Sequence, residues 1–450
     1  MEPSANQTTV FCTIVSKNYL ARARALAESI TRFHPNATID VLLVDRIDGC
    51  FEPKAEKFHV TLLEELSIPD MSRFCFQYNI LELNTAAKPT YLKHLLEKGA
   101  EKLVYLDPDT LLFNDLSRII DLLNTNQFVL TPHTTRPYPV ESEKREVDIL
   151  RAGVFNLGFI AVKNGAEAYR MLNWWADRLY TGCIADMSRG YHVDQKWIDL
   201  VPALFEGVYI LKAPGYNCAT WNFHDHQFSF ENGKYLVGGE PLRFFHFSAF
   251  DPFNLNVVSR NQNTYTMENI GPLKTLFTDY CDLLMKHGYS ETVRWPYAFG
   301  AFDNGERIPE RLRRDYLELM KRGALFDNPF ETKAKSSVYQ WWKSNGGLMR
   351  QEELIELFER DEQDWAVSEI EQTIEGLDLY TWFRRSNPKP IWTGKPVLFM
   401  KQLIKYWGLQ ILMQWLPPLL AKQYILNRYF LIEIKRLRTL IRQSWSESNP

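Results

Sequence analysis

The first hundred residues alternate short apolar runs with amphipathic segments, and that rhythm restricts the chain to an α/β fold with a parallel sheet. Val10–Val15 reads as a strand and Tyr19–Phe33 as a helix with apolar residues at helical spacing. Ile39–Val44 is a second buried strand ending at Asp45. Ala86–Glu97 reads as a helix with Pro89 in its first turn, where proline is tolerated. Lys102–Leu106 is then a short strand that runs straight into Asp107-Pro108-Asp109.

Beyond it, Ile119–Leu123 looks helical, Phe128–Thr131 extended, Gly153–Val162 strand-rich and Ala166–Leu179 helical. Phe228–Val237 predicts a hairpin, because Asn232-Gly233 supplies a tight turn between alternating arms. Phe244–Phe247 predicts another strand. From Asp251 the character shifts to helices and aromatic-rich loops, with helices expected over Leu273–Lys286, Pro309–Lys321 and Gln351–Phe358. This divides the chain into an α/β domain at 1–255, a helical extension at 256–390 and a tail at 391–450.

A chain of 450 residues that is 45% hydrophobic has ample material for a large core plus an appendage. Its net charge of −3 argues against a nucleic-acid partner. Six scattered cysteines lack metal-ligand spacing and are expected to be buried, unpaired thiols. The N-terminus shows no secretory pattern, so a cytoplasmic address is expected.

The chemistry centres on Leu103-Val-Tyr-Leu-Asp107-Pro-Asp109. An apolar strand delivers two carboxylates to its carboxyl end, where open α/β sheets bind ligands. Pro108 forces a turn between them. Two hard anionic oxygens beside a cleft suit Mg²⁺ or Mn²⁺ together with substrate phosphates. Three alternatives stand beside this. The motif can be an ordinary strand-end turn, or part of a catalytically silent nucleotide-sugar-binding scaffold. It also matches the first motif of a haloacid-dehalogenase-type phosphohydrolase, with Asp107 as nucleophile. Two βα units precede it, however, and no Asp-Asp pair follows, which disfavours that class.

The order of later blocks is more specific. Phe11-Cys-Thr-Ile-Val-Ser-Lys-Asn-Tyr-Leu20, Asp107-Pro-Asp109, Gly153-Val-Phe-Asn-Leu-Gly158, Asp194-Gln195 and Phe244-Phe-His246-Phe-Ser-Ala-Phe-Asp-Pro252 occur in sequence over residues 8–255. In this the chain resembles GT-A-fold glycosyltransferases, in particular bacterial enzymes close to the retaining family 8. The resemblance implies a metal-dependent transfer of a hexose-type sugar from a nucleotide-diphosphate sugar to a glycan or lipid-linked acceptor, in bacterial surface polysaccharide assembly. It makes Asp107, Asp109 and His246 the ligands of a Mn²⁺ or Mg²⁺ ion. It places Thr13 and Tyr19 against the base and ribose, Lys88 near the donor, Asn156 and Gly158 at the sugar, and Asp194 and Gln195 at the reacting carbon. One departure is evident: a Gly and a Lys-Pro-Trp usually follow the histidine and bind phosphate, whereas Ser-Ala-Phe-Asp-Pro stands here. Arg243 and Arg260 are the substitutes to consider.

Other features take plainer readings. His224-x-His226 lacks a third ligand and is expected at the surface. Trp174-Trp175 and Trp341-Trp342 are expected to pack in helices. Asp194 also fits the N-cap of a helix over Gln195–Leu200. In the tail, residues 395–445 carry nine Lys/Arg against one acid, Glu433, and Phe399, Leu403, Trp407, Ile411 and Trp415 form a helical stripe. Either the stripe lies on the inner face of an anionic membrane, or it packs as a core helix on the rest of the chain or joins copies into a homo-oligomer.

Overall fold

The computed structural model describes residues 8–139, 143–262 and 264–344. A compact unit that ends at Trp341 carries nearly all of the fold below. The expected helix at Gln351–Phe358 and the basic, amphipathic tail lie outside the described residues.

Strand β1 (Thr9–Val15) leads through a 3₁₀ turn into helix α1 (Leu20–Phe33), then β2 (Thr38–Leu43) and β3 (His59–Leu62). Three helices follow: α2 (Met71–Phe76), α3 (Ile80–Ala86) and α4 (Lys88–Glu97). The helix expected from Ala86 is therefore α4, and α3 before it was missed. An Asn79–Glu82 capping box starts α3, a signal present in the sequence. Next come β4 (Lys102–Leu106), β5 (Thr110–Leu112), α5 (Ser117–Thr125), β6 (Phe128–Pro132), α6 (Glu143–Ala152), β7 (Phe155–Lys163) and α7 (Ala166–Gly182). Two short helices, α8 (Gln195–Ile198) and α9 (Val201–Leu204), precede β8 (Val208–Ile210).

The main sheet has the order β3-β2-β1-β4-β7-β6-β8. All pairings in it are parallel except the two made by β7, which runs antiparallel to both neighbours. Alternation along β1 sends Val10, Cys12 and Ile14 into one core, with Tyr91 of α4 and Trp175 of α7. Phe11 and Val15 enter the opposite core, with Leu26 of α1 and Ile119 of α5. This is the mostly parallel α/β layer architecture that the β-α rhythm implies.

The predicted hairpin forms as β9 (Phe228–Glu231) and β10 (Lys234–Val237), extended by β11 (Glu240–Pro241). Asn232 and Gly233 both take positive φ, 50° and 75°, as a two-residue hairpin turn requires. β12 (Phe244–His246) then returns to pair antiparallel with β5, His246 opposite Thr110. Helices α10 (Leu273–Lys286), α11 (Tyr289–Thr292), α12 (Glu310–Lys321) and α13 (Val338–Ser344) follow. A third core, Phe245 and Phe247 with Phe277 and Tyr280 of α10 and Ala21 and Ala25 of α1, fixes β12 in place. Trp175 is fully buried and Trp174 packs on the same core, as expected. All six cysteines are free, five of them buried.

Candidate metal and nucleotide-sugar site

β4 ends at Leu106, and the Asp107 backbone N–H donates to the Gly158 carbonyl of β7 at 2.8 Å. The turn closes with Thr110 N–H on the Asp107 carbonyl at 3.1 Å, so Pro108, which has no N–H, costs the ladder nothing. Asp109 turns back beside β12, its carbonyl accepting from Phe247 N–H at 2.8 Å. Asp107, Asp109 and His246 thereby offer three ligand atoms all within 4.8 Å of one another. His246 Nε2 lies 3.0 Å from Asp109 Oδ1 and 3.9 Å from Asp107 Oδ2.

Burial works against charge on both His246 and Asp109, yet their mutual attraction prevails. The imidazole is pushed above its ordinary value and the carboxyl below, with Arg22 adding to the second effect. Two carboxylates and one imidazole at this spacing fit a small divalent cation that takes mostly oxygen ligands. Tyr105 orients the set by donating its hydroxyl to Asp107 Oδ1 at 2.7 Å. The sequence reading overlooked Tyr105, although residues i and i+2 of a strand share a face.

Gly158 has a further reason to be glycine. A β-carbon there would stand 2.4 Å from His246 Cε1 and 2.8 Å from Asn156 Oδ1. The histidine ring reaches the carboxylates only because β7 has no side chain beneath it.

Lys88, the first residue of α4, is buried under the same strand ends. Its Nζ lies 2.6 Å from Asp194 Oδ2, 2.8 Å from the Leu157 carbonyl and 3.8 Å from Asp107 Oδ1, over the Tyr105 ring at 4.4 Å. The N-cap reading of Asp194 is corrected here. It stands before α8, but its side chain makes no cap bond, because the buried ammonium claims it. Burial pushes the Asp194 carboxyl up against the pull of Lys88, while Asp194 and Asp107 outweigh burial to hold Lys88 charged.

Gln195 is committed to backbone as well: Oε1 accepts from Leu157 N–H at 3.1 Å and Nε2 donates to the Ala152 carbonyl at 3.0 Å. Asn156 sits at the middle of a buried amide network. Its Oδ1 accepts from Gly158 N–H (3.1 Å) and Asn217 Nδ2 (3.0 Å), which leaves its Nδ2 facing His133 Nε2 at 3.2 Å. Burial pushes His133 down to about 4, so it is a neutral ring accepting at Nε2. His133 and Asn217 lie far from Asn156 in sequence, and nothing local marks them.

At the end of β1, Thr13 is buried with no hydrogen-bond partner for Oγ1 among the described residues. Tyr19 is exposed, its ring over the Arg22 guanidinium at 5.0 Å. Two expectations fail. Arg243 is tied to Asp115 Oδ2 at 2.8 Å, at the turn before α5, so it is not available to a phosphate. His224 is half-buried rather than superficial, stacked on Tyr138 at 3.5 Å and paired with Asp225 at 2.8 Å. Among the described residues, no helix is long and apolar enough to cross a membrane.

Parts of the chain are similar to known proteins. Residues 11–172 match the family model described as glycosyl transferase family 8, so this stretch of the chain is similar to that family. Two Bacillus subtilis (strain 168) proteins are similar to it. The uncharacterized protein YfnD is 26% identical over 306 residues, 63% of this chain and 96% of that protein. The uncharacterized protein YfnF is 26% identical over 280 residues, 57% of this chain and 86% of that protein. Among solved structures, the galactosyltransferase LgtC in complex with donor and acceptor sugar analogs aligns at TM-score 0.36 and 14% identity, over 62% of this chain and 95% of that one. The glycosyltransferase GlyE of Streptococcus pneumoniae TIGR4 aligns at TM-score 0.38 and 16% identity, over 66% and 67%.

Proposed function

We propose, from the match of residues 11–172 to the family 8 glycosyltransferase model, that the chain moves a hexose-type sugar from a nucleotide-diphosphate sugar to a glycan or lipid-linked acceptor. The setting we favour is bacterial surface polysaccharide assembly. The observation that carries the reading is the meeting of Asp107, Asp109 and His246. Two of these come from one strand end, and the third from a strand that returns more than a hundred residues later to pair with β5. An ordinary strand-end turn has no use for that histidine. A manganese ion is the better match, since imidazole is a less natural ligand for magnesium. Bound there, the ion would neutralise the charge that develops on the departing diphosphate.

The chain's own residues have distinct parts in this scheme. Asp107, steadied by Tyr105, and Asp109, anchored through Phe247, hold the ligand set without rearrangement. Lys88 adds positive charge at the sugar end of the site, and Asp194 fixes that ammonium in place. A carboxylate held 2.6 Å from a buried lysine is a poor general base for an acceptor hydroxyl. That favours retention of anomeric configuration, with Asp194 and Gln195 shaping the donor-sugar wall and Asn156 beside them. Thr13 and Tyr19 would face the base and ribose.

The test is a screen of nucleotide sugars for Mn²⁺-dependent binding and hydrolysis, followed by proton NMR of the linkage made on an added acceptor. Binding that ignores the metal, or binding with no turnover on any acceptor, defeats the enzyme reading. An inverted product would return Asp194 to the role of base.

A further inference from the structure

One buried cation on α1 has no part in the scheme so far. Arg22 is only 4% exposed, yet its hydrogen bonds go to neutral groups. Nη1 donates to the Tyr280 hydroxyl at 3.1 Å, and Nη2 to the Phe250 carbonyl at 2.9 Å. Its guanidinium lies over the rings of Tyr19 at 5.0 Å and Tyr289 at 5.5 Å. Nε has no hydrogen-bond partner, and no carboxylate stands at ion-pair distance among the described residues. Burial works against this charge, yet the tyrosines around it and the more distant Asp109 carboxylate outweigh that cost and keep it charged without an ion-pair partner of its own.

The charges nearby show what kind of ion the site suits. Lys88 is matched by Asp194. That leaves the carboxylates of Asp107 and Asp109, with the His246 imidazole that becomes a neutral ligand once a metal binds, against the guanidinium of Arg22, whose field reaches Asp109. A divalent cation on the two aspartates turns that small negative excess into a positive one, suited to a polyanion. The loop that carries this face, Phe247-Ser-Ala-Phe-Asp-Pro252, contains no Lys or Arg. The loop is tied at two points: Phe247 N–H donates to the Asp109 carbonyl, and the Phe250 carbonyl accepts from Arg22. Arg243, the cation preceding it, is spent on Asp115.

We propose that Arg22 supplies, from helix α1 and through its charge, the fixed positive potential that holds the donor diphosphate against the metal-binding aspartates. The proposal rests on the glycosyltransferase reading. Arg22 is a positioning residue here, acting behind the 247–252 loop rather than by touching the reacting atoms. Because it works by charge, its effects on anions and cations must have opposite sign, which a merely structural role would not produce.

The experiment is calorimetric titration of the full chain, comparing wild type with R22K, R22Q and R260M. The probes are Mn²⁺ alone and, in saturating Mn²⁺, UDP, GDP, ADP and CDP, with the monophosphate and free nucleoside of whichever binds. R22Q should weaken the diphosphate by roughly tenfold or more, the monophosphate less, and the nucleoside hardly at all, while Mn²⁺ alone binds tighter. R22K should keep wild-type affinities within about threefold, since it keeps the charge. The proposal is overturned if R22Q binds the diphosphate like wild type, if R22K and R22Q lose it equally, or if R22Q weakens Mn²⁺ as well. Loss of diphosphate in R260M but not in R22Q overturns it too. If wild type binds none of the four diphosphates, the glycosyltransferase reading itself falls and takes this role with it. That result is distinct from failure of Arg22 alone, where wild type and R22Q both bind.

Discussion

The Lys88–Asp194 pair invites the most demanding test, because both side chains are almost completely buried, 2% and 3% exposed. Replacing Lys88 by Met keeps the stem and removes the ammonium. Asp194 Oδ2 then loses its partner at 2.6 Å and the Leu157 carbonyl loses its donor at 2.8 Å. Stranding one member of a buried ion pair costs about 3–5 kcal/mol. With a urea slope of about 3 kcal/mol/M, the midpoint should fall by roughly 1–1.7 M. Asp194→Asn should cost less, because Lys88 keeps the Leu157 carbonyl and Asp107 at 3.8 Å. The double variant K88M/D194N contains no stranded ion, so its loss should fall short of the summed single losses by about 2 kcal/mol or more. Urea unfolding followed by tryptophan fluorescence measures all four proteins. Additivity within about 0.5 kcal/mol, or a K88M loss under about 1 kcal/mol, would refute the reasoning.

Three further outcomes are expected. D107N, D109N and H246A should keep the fold by circular dichroism and lose at least about a hundredfold in kcat/KM in Mn²⁺-buffered assays, and full activity of either aspartate variant would remove the metal assignment. G158A should displace the His246 ring, weakening Mn²⁺ binding by electron paramagnetic resonance titration and costing about 1–3 kcal/mol of stability; unchanged Mn²⁺ affinity would show that the ring does not need that space. Glu167, lowered to about 2 by its hydrogen bonds from Arg170 and Glu206 N–H, has a folded value below its ordinary one. Its contribution is therefore present above about pH 4.5 and lost as pH falls towards 2. The urea midpoints of wild type and E167Q should differ at pH 7 and converge near pH 2, and a gap that persists there contradicts the assignment.

How much was legible in the sequence follows from distance along the chain. Strand β4 with its carboxylates, the 232–233 turn and the alternation of β1 are all written within ten residues, so period and turn chemistry identified them. His246 was reached through the resemblance to a known family, not through physics, because an imidazole in an aromatic strand fits a core as well as a metal. The pairing of β5 with β12 is what makes it a ligand. Asp194 shows the limit from the other side. Its position before a short helix fits a cap, and only the burial of Lys88 beside it decides that the carboxylate serves an ammonium instead. Arg22 lay in plain view on an alanine-rich helix, and Arg243 beside the histidine looked the better cation. Sequence fixes which charges a chain possesses and which local elements carry them. Which charges are already neutralised depends on partners brought from distant segments, such as Asp115 for Arg243, whereas Arg22 bonds to Tyr280 and the Phe250 carbonyl and has no ion-pair partner among the described residues. Tertiary packing alone could decide that.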